Sequence, residues 1–264
     1  IKTRAAASGA GKPQFPARIF RRQKMQKKYF TPLIDTSVPK SETAKFVKKF
    51  TQRRTEILRN AIADAIGGKP KFLRCARAMP AEPFTPDLNI EIRKTEIPTS
   101  CGKLSAFVYA PKNCRKCAVY FHGGGWTLGR AQSKFCNDFA AGANCAVVSV
   151  DYPLAPERRF PEQPRACFEA FEYVRENAKK LGISSGKFAL AGDSSGGNLA
   201  LAVSIKLAEK SQKQADGLIL YYPVASVFEP QNCESWRKYG SGFALDAELM
   251  ESFTLAYLPK PEQR

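Results

Sequence analysis

The chain has 264 residues, of which 44% are hydrophobic, and it carries a formal net charge of +18 at pH 7. This length fits one sizeable α/β domain with a buried core and a modest appendage, and it argues against two full domains. Its apolar runs fall short of the roughly 18 residues that a membrane-spanning helix needs, so we expect a soluble protein.

The positive charge is concentrated in the first 80 residues. They hold 20 of the 42 Lys and Arg residues but only 4 of the 24 Asp and Glu residues. Residues 1–40 also lack a sustained apolar period, which predicts a basic, poorly ordered extension. Such an arm is compatible with organelle targeting or with an anionic surface. A weakly ordered extension without either role is the simpler interpretation, and we expect no nucleic-acid partner.

An amphipathic helix is predicted from Ser41 to Ile66. Its apolar residues recur at helical spacing, Gly67 and Gly68 end the run, and paired basic residues occupy the opposite, solvated face. Residues 41–86 are therefore predicted to form an N-terminal helix followed by a proline-rich linker.

The rest of the chain alternates between apolar strands and helices. Strands are predicted at 90–97, 103–109, 116–121, 146–150, 187–191 and 218–222, and helices near 133–142, 162–180, 196–210 and 246–257. After the third strand, strands and helices alternate along the chain. This order predicts an α/β fold with a mainly parallel sheet flanked by helices.

The eight cysteines are scattered, and several lie in apolar stretches where a reduced thiol packs as a small hydrophobic group. This pattern favours a reduced, cytoplasmic compartment. Cys114 and Cys117 have CxxC spacing, but the sequence has no second such pair and no histidine close by. We therefore expect neither a metal nor another cofactor.

The segment after the fifth predicted strand has the pattern of a nucleophile elbow. Gly192, Ser194 and Gly196 form a Gly-x-Ser-x-Gly turn between a buried strand and an apolar helix. Small residues on both sides of the serine allow a strained backbone to pass close to its neighbours. The free N–H groups at the start of the helix would face a developing oxyanion.

A second motif follows the strand that ends at Phe121. The sequence His122-Gly123-Gly124-Gly125-Trp126 places glycines at a strand end, where backbone N–H groups can point at a ligand oxygen. An acyl-transfer site needs such donors because its tetrahedral intermediate concentrates negative charge on one oxygen. Together, the two motifs predict a serine nucleophile with an oxyanion hole.

From about residue 87 to its end, the chain resembles the hormone-sensitive-lipase-like carboxylesterases, a group of α/β hydrolases. The resemblance rests on four motifs in combination: residues 122–126, residues 192–197, Asp151-Tyr152-Pro153-Leu154-Ala155-Pro156-Glu157 with Phe160-Pro161, and Tyr222-Pro223. It implies an α/β-hydrolase fold, a small-molecule ester as substrate, and a helical cap supplied by the N-terminal helix. A second cap segment would correspond to residues around 236–258.

The resemblance also assigns roles to individual residues. Ser194 would be the nucleophile, and the oxyanion N–H groups would come from Ser195 together with Gly123, Gly124 and Gly125. Asp193 would be a structural neighbour of the turn rather than the catalytic acid. His122 would anchor the glycine loop.

The base that such a serine needs is missing from the expected place. The family order is serine, then acid, then histidine, but His122 is the only histidine and it precedes Ser194. Asp216 enters a strand and Asp246 opens a helix, so neither matches the acid of a loop after a seventh strand. The prediction has six strands where the fold has eight. We therefore expect 87–264 to be an incomplete hydrolase domain, cut short at its C terminus, that turns over little substrate.

Two other functions remain open at this point. A non-catalytic, hydrolase-like ligand-binding protein would keep the pocket and glycine loop without a histidine. Alternatively, the basic arm could be the functional part, bound to RNA or an assembly surface, with the hydrolase domain as its scaffold. The sequence does not specify the acyl group, the alcohol or the oligomeric state.

Overall fold

The computed structural model describes residues 41–79, 83–184, 186–228, 230–241 and 245–260, with side chains of the first helix described from Arg53 onward. The predicted basic extension, residues 1–40, lies outside the described residues. The backbone separates into two units, Ile1–Ala44 and Lys45–Arg264. All the side-chain contacts given below lie in the second unit.

The described residues contain one six-stranded sheet. Its strands, in chain order, are β1 (Ile90–Thr99), β2 (Gly102–Pro111), β3 (Lys116–Phe121), β4 (Ala146–Val150), β5 (Lys187–Asp193) and β6 (Gly217–Tyr221). Their order across the sheet is β1-β2-β4-β3-β5-β6. The first two strands pair antiparallel to their neighbours, whereas β4, β3, β5 and β6 run parallel. The carboxyl ends of β3, β5 and β6 therefore meet at one edge, where ligands bind in open α/β sheets.

Seven α-helices surround the sheet within the described residues. They are α1 (Ser41–Ile66), α2 (Lys71–Ala78), α3 (Lys134–Ala143), α4 (Glu162–Glu176), α5 (Ser195–Glu209), α6 (Glu234–Tyr239) and α7 (Ala247–Tyr257). Helix α3 packs on one face through Cys136 and Ala140. Helices α4 and α5 cover the other face, where the larger core cluster also includes residues of α1, α2 and α7. The result is the three-layer arrangement that the strand and helix order predicted.

The N-terminal helix has the predicted bounds and is joined to the core at its C-terminal half. Ala61, Ile62 and Ala65 are buried, but Ile57 is 62% exposed although it lies in the predicted apolar stripe. The predicted linker contains a second helix, α2, whose Leu73 is fully buried. This second helix was not predicted, because eight residues after a proline give too short a periodic signal.

Other boundaries differ from the predictions by a few residues. Helix α4 ends at Glu176 rather than near 180, and β5 extends to Asp193 because its ladder with β6 continues to Tyr221. Within the described ranges, β6 pairs with β5 alone, and Leu218 is 43% exposed at this sheet edge. None of the described helices combines the length and apolar character required to cross a bilayer.

Candidate active site

Ser194 lies on the turn between β5 and α5. Its backbone has φ of 52° and ψ of −120°, a conformation that is unusual for a residue with a side chain. Its N–H donates to the carbonyl oxygen of Tyr221 at 2.9 Å, and its own carbonyl accepts the N–H groups of Asn198 and Val224, each at 3.1 Å. These hydrogen bonds hold the strained turn between the two parallel strands and the first turn of the helix.

Two glycines let this turn sit directly against β3. A Cβ added to Gly196 would lie 2.0 Å from the carbonyl oxygen of Phe121, and one added to Gly192 would lie 2.5 Å from the backbone of Gly196. Neither contact leaves room for a side chain. The elbow therefore packs on the end of β3, immediately before the glycine loop.

The glycine loop turns back at Gly124. The carbonyl oxygen of Gly124 accepts the N–H groups of Thr127 at 3.1 Å and Leu128 at 2.9 Å, and Gly124 and Gly125 have φ of 118° and 59°. The N–H groups of Gly124 and Gly125 donate to no acceptor in the described part of the chain. They are the candidate donors of this loop to a ligand oxygen.

Asp193 ties the elbow to the glycine loop. One carboxylate oxygen, Oδ1, accepts the Tyr120 hydroxyl at 2.5 Å and the Gly123 N–H at 2.7 Å. Burial is the main cause that raises the pKa of Tyr120, and the hydrogen bond to Asp193 raises it further. The phenol therefore stays protonated and donates. The Gly123 N–H is thus already engaged. The expected role of Gly123 as an oxyanion donor stays a prediction.

His122 is buried beneath the loop rather than presented to the serine. Its ring stacks on Tyr152 with centroids 4.3 Å apart, and Nδ1 lies 2.8 Å from the Gly123 carbonyl oxygen. Burial lowers the pKa of His122, so the ring is neutral, and a carbonyl partner requires the Nδ1–H tautomer. The Tyr152 hydroxyl in turn donates to the His122 carbonyl at 2.7 Å. This geometry corresponds to an anchor for the loop.

Because His122 is the only histidine, its burial has a measurable effect on stability. Its folded pKa lies below the ordinary value of 6.5, so below that pH the unfolded state binds more protons than the folded state. Stability is therefore expected to fall as the pH drops from about 7.5 to 5. Replacement His122→Gln keeps an N–H donor and removes the titration. Melting temperature against pH should show a shallower slope for this variant, and equal slopes would contradict the prediction.

The two aspartates downstream of Ser194 each accept a backbone N–H group. Asp216 accepts the Phe188 N–H at 2.8 Å at the start of β5. Asp246 is the N-cap of α7 and accepts the Leu249 N–H at 2.8 Å. Each carboxylate thus has a local backbone partner, and the absence of a triad acid from this chain stays a prediction.

A cavity of about 550 Å³ lies beside the loop and the elbow. Its walls include Gly123 and Asp193 together with Tyr222, and Arg130 and Lys134 bring positive charge to it. The structure thus brings His122, Gly123 and Asp193 together at one cavity, with Ser194 and Ser195 adjoining in the chain. In the described part of the chain, no three His, Cys, Asp or Glu residues are grouped so as to hold a metal ion.

Sequence reasoning missed the side chains that support the motifs. Tyr120 lies 73 residues from Asp193 in the chain, and Arg77 reaches the loop from a segment interpreted as a linker. The spacing of Leu73 and Ala76, after Pro70, was the available signal for α2. No comparable local signal marks the contacts of Arg77 or Tyr120.

A mainly parallel sheet flanked by helices, with a strained serine turn after β5 and a glycine loop after β3, defines the class of α/β hydrolases. The model of the α/β-hydrolase fold family matches residues 118–264. The chain belongs to this family, within its carboxylesterase group.

Individual relatives agree with this assignment. An arylesterase of Saccharolobus solfataricus is 33% identical over 181 residues, which cover 66% of this chain and 56% of the relative. An ethyl acetate hydrolase of Pseudomonas putida is 36% identical over 151 residues, or 55% of this chain and 46% of the relative. This chain spans about half the length of these curated relatives.

Solved structures show the same fold. A hyperthermophilic esterase from the archaeon Pyrobaculum calidifontis superposes with a TM-score of 0.62 and 30% identity, covering 83% of this chain and 66% of that one. The thermostable carboxylesterase EstE1, cloned from a metagenomic library, also gives 0.62 and 30%, covering 87% and 71%.

Proposed function

We propose that this chain carries the nucleophile and oxyanion hole of a serine carboxylesterase that acts on short-chain acyl esters. The observation that carries the proposal is the position of Ser194. Its strained turn sits at the carboxyl ends of the parallel strands, directly against the glycine loop. The names of the relatives, an arylesterase and an ethyl acetate hydrolase, support a small ester as substrate.

The reaction would proceed through an acyl-enzyme. The Ser194 hydroxyl attacks the ester carbonyl carbon, the alcohol leaves, and water then hydrolyses the acyl-serine. The negative charge that develops on the carbonyl oxygen would be stabilised by the N–H groups of Gly124, Gly125 and Ser195. Ser195 contributes because the first N–H groups of a helix have no partner in a preceding turn. Gly123 would instead fix the loop through Asp193.

We infer that the described residues supply no base for this attack. His122 is buried and its Nδ1 bonds the Gly123 carbonyl, and Asp216 and Asp246 bind backbone N–H groups. A serine hydroxyl without a base keeps a high pKa and attacks slowly. We therefore infer that the isolated 264-residue chain is nearly inactive. Serine hydrolases that lose their triad retain an acceleration of about 10³- to 10⁴-fold over water, from the oxyanion hole and substrate binding.

The test supplies the base from solution. The isolated chain is incubated with p-nitrophenyl acetate, with and without imidazole, and acetylation of each serine is located by peptide mass spectrometry. We expect slow hydrolysis that Ser194→Ala scarcely changes, and imidazole-dependent acetylation of Ser194. The matched control is Ser204→Ala on the same helix, which should leave acetylation of Ser194 intact.

Two results would contradict these inferences, the first the inactivity of the isolated chain and the second the role of Ser194. Hydrolysis at rates typical of intact esterases without imidazole, lost in Ser194→Ala, would contradict the inferred inactivity. Absence of acetylation at Ser194 at any imidazole concentration would contradict its role as a nucleophile. The latter outcome favours the second candidate, a non-catalytic ligand-binding protein, for which the missing base is the supporting observation.

A further inference from the structure

Arg77, near the end of α2, makes an unusual set of contacts for a side chain in a short helix. Its Nε donates to the carbonyl oxygen of Thr127 at 2.8 Å, and its Nη2 donates to that of Ala155 at 2.5 Å. Its Nη1 lies 2.9 and 3.0 Å from the two carboxylate oxygens of Glu157. The side chain is only 19% exposed. All three nitrogens of the guanidinium therefore have a partner.

These partners belong to the two segments that shape the glycine loop. Thr127 closes the loop, since its N–H donates to the Gly124 carbonyl oxygen. Ala155 lies on the neighbouring segment, and its N–H donates to the Trp126 carbonyl oxygen at 2.8 Å. Arg77 thus donates to two carbonyl oxygens, one on each of the two segments that the Ala155–Trp126 hydrogen bond joins. It clamps the loop to the adjoining segment at a point three residues from Gly124.

A second arginine, Arg130, binds the C-terminal end of α2. Arg130, which follows the loop, donates from Nη2 to the carbonyl oxygen of Arg77 at 2.8 Å and also to that of Met79. The last carbonyl groups of a helix have no partner within it, so a cation at this end satisfies them. The position of Arg77 is therefore set by the same stretch of chain that it holds.

We propose that Arg77 is a positioning residue for the oxyanion hole, one that fixes the Gly124 and Gly125 N–H groups by holding the Thr127 and Ala155 carbonyl oxygens. The inference rests on the proposed function, because only the proposed ester hydrolysis gives those N–H groups an anion to stabilise. It also makes α2 a supporting part of the site. Gly123, Gly124 and Gly125 have no side chains, so the contacts that hold this loop come from neighbouring residues, with Arg77 holding the Thr127 and Ala155 carbonyl oxygens.

The three contacts of Arg77 require the planar guanidinium group of an arginine. Lysine is a single point charge on a flexible stem, and it cannot bond two carbonyl oxygens and a carboxylate in three directions. Arg77→Lys therefore separates two explanations. A requirement for positive charge near Glu157 alone would be met by lysine, whereas the proposed clamp would be lost.

Amide hydrogen exchange tests the clamp without reference to catalysis. In Arg77→Ala and Arg77→Lys, we expect the Thr127, Leu128 and Ala155 amides to exchange at least about tenfold faster than in the unmodified chain, which corresponds to about 1.4 kcal/mol. The Asn198 and Val224 amides, which bond the Ser194 carbonyl, should keep their rates. The matched control is Arg158→Ala, whose side chain forms an exposed ion pair with Glu162.

Each outcome bears on the proposal. Unchanged exchange at Thr127, Leu128 and Ala155 in Arg77→Ala would overturn it, as would rescue of all three amides by Arg77→Lys. Faster exchange that spreads equally to Asn198 and Val224 would indicate general loosening and would also overturn it.

A second readout links the clamp to chemistry. The rate of imidazole-dependent acetylation of Ser194 should fall about tenfold in both Arg77 variants at saturating ester, without a matching rise in the ester concentration needed for half-saturation. Arg158→Ala should leave this rate unchanged. If the unmodified chain is not acetylated, the proposed function fails, while the exchange data still decide whether Arg77 holds the loop.

Discussion

Replacement of Gly196 by alanine is expected to destabilise the fold severely and to separate the elbow from β3. The new Cβ would lie 2.0 Å from the Phe121 carbonyl oxygen and 2.5 Å from that of His122. Both atoms are backbone at the end of a buried central strand, so neither can rotate away as a side chain could. We expect a loss of about 3 kcal/mol or more in the free energy of unfolding, the upper end of typical overpacking costs.

Gly142→Ala is the matched control for this substitution. Gly142 lies inside α3, and a Cβ added there meets nothing within 4 Å. Alanine in a helix interior is favoured over glycine by roughly 0.5–1 kcal/mol, so this variant should be slightly more stable. Urea unfolding of both variants gives the two free energies directly. A Gly196→Ala variant within about 1 kcal/mol of the unmodified chain would show that the elbow does not pack on β3 as described.

The same contact explains why the elbow was predictable from sequence. A Gly-x-Ser-x-Gly pattern between an apolar strand and an apolar helix is a local signal, and each of its glycines meets a backbone atom. The six strands were predictable for a related reason, since buried strands such as β3 and β4 have almost continuous apolar sequences. The mainly parallel character of the sheet followed from the alternation of strands and helices, whereas the order of the strands was not predicted.

The contacts that orient the site were not predictable in this way. Whether the Gly123 N–H faces a ligand or a carboxylate depends on Asp193, 70 residues away in the chain. Asp193 in turn is held by Tyr120, whose side chain reads only as part of an apolar strand. Arg77 lies 50 residues before Thr127 in a helix that sequence periodicity missed. Motifs therefore identify the reacting groups, whereas long-range hydrogen bonds decide their orientation.

The balance of charge was only partly informative about function. The basic excess in the first 80 residues predicted an extension, and residues 1–40 lie outside the described part of the chain. Within the described part, the arginines that matter for the site act by hydrogen-bond geometry. Arg77 and Arg130 both bind backbone carbonyl oxygens next to the glycine loop. Net charge carries no information about such contacts.

Replacement of Trp126 by alanine is the second substitution with a large expected effect. Trp126 is 1% exposed and stacks on Tyr257 of α7 with ring centroids 4.5 Å apart and an interplanar angle of 13°. Tyr257 also meets the edge of Phe160, so loss of the indole leaves one face of this aromatic cluster without a partner. Removal of a buried tryptophan side chain costs about 3–5 kcal/mol. We expect a loss in that range, measured by urea unfolding followed by circular dichroism.

Two further variants separate the loss of packing from other causes. The indole Nε1 of Trp126 has no hydrogen-bond partner in the described part of the chain, so Trp126→Phe loses volume without breaking a bond and should cost less than half as much as alanine. Trp236, the only other tryptophan, lies half-buried in α6. Because Trp236→Ala removes a partly solvated ring, its expected cost is about 1 kcal/mol. Equal losses for Trp126→Ala and Trp236→Ala would contradict the burial of Trp126 and its stacking on Tyr257.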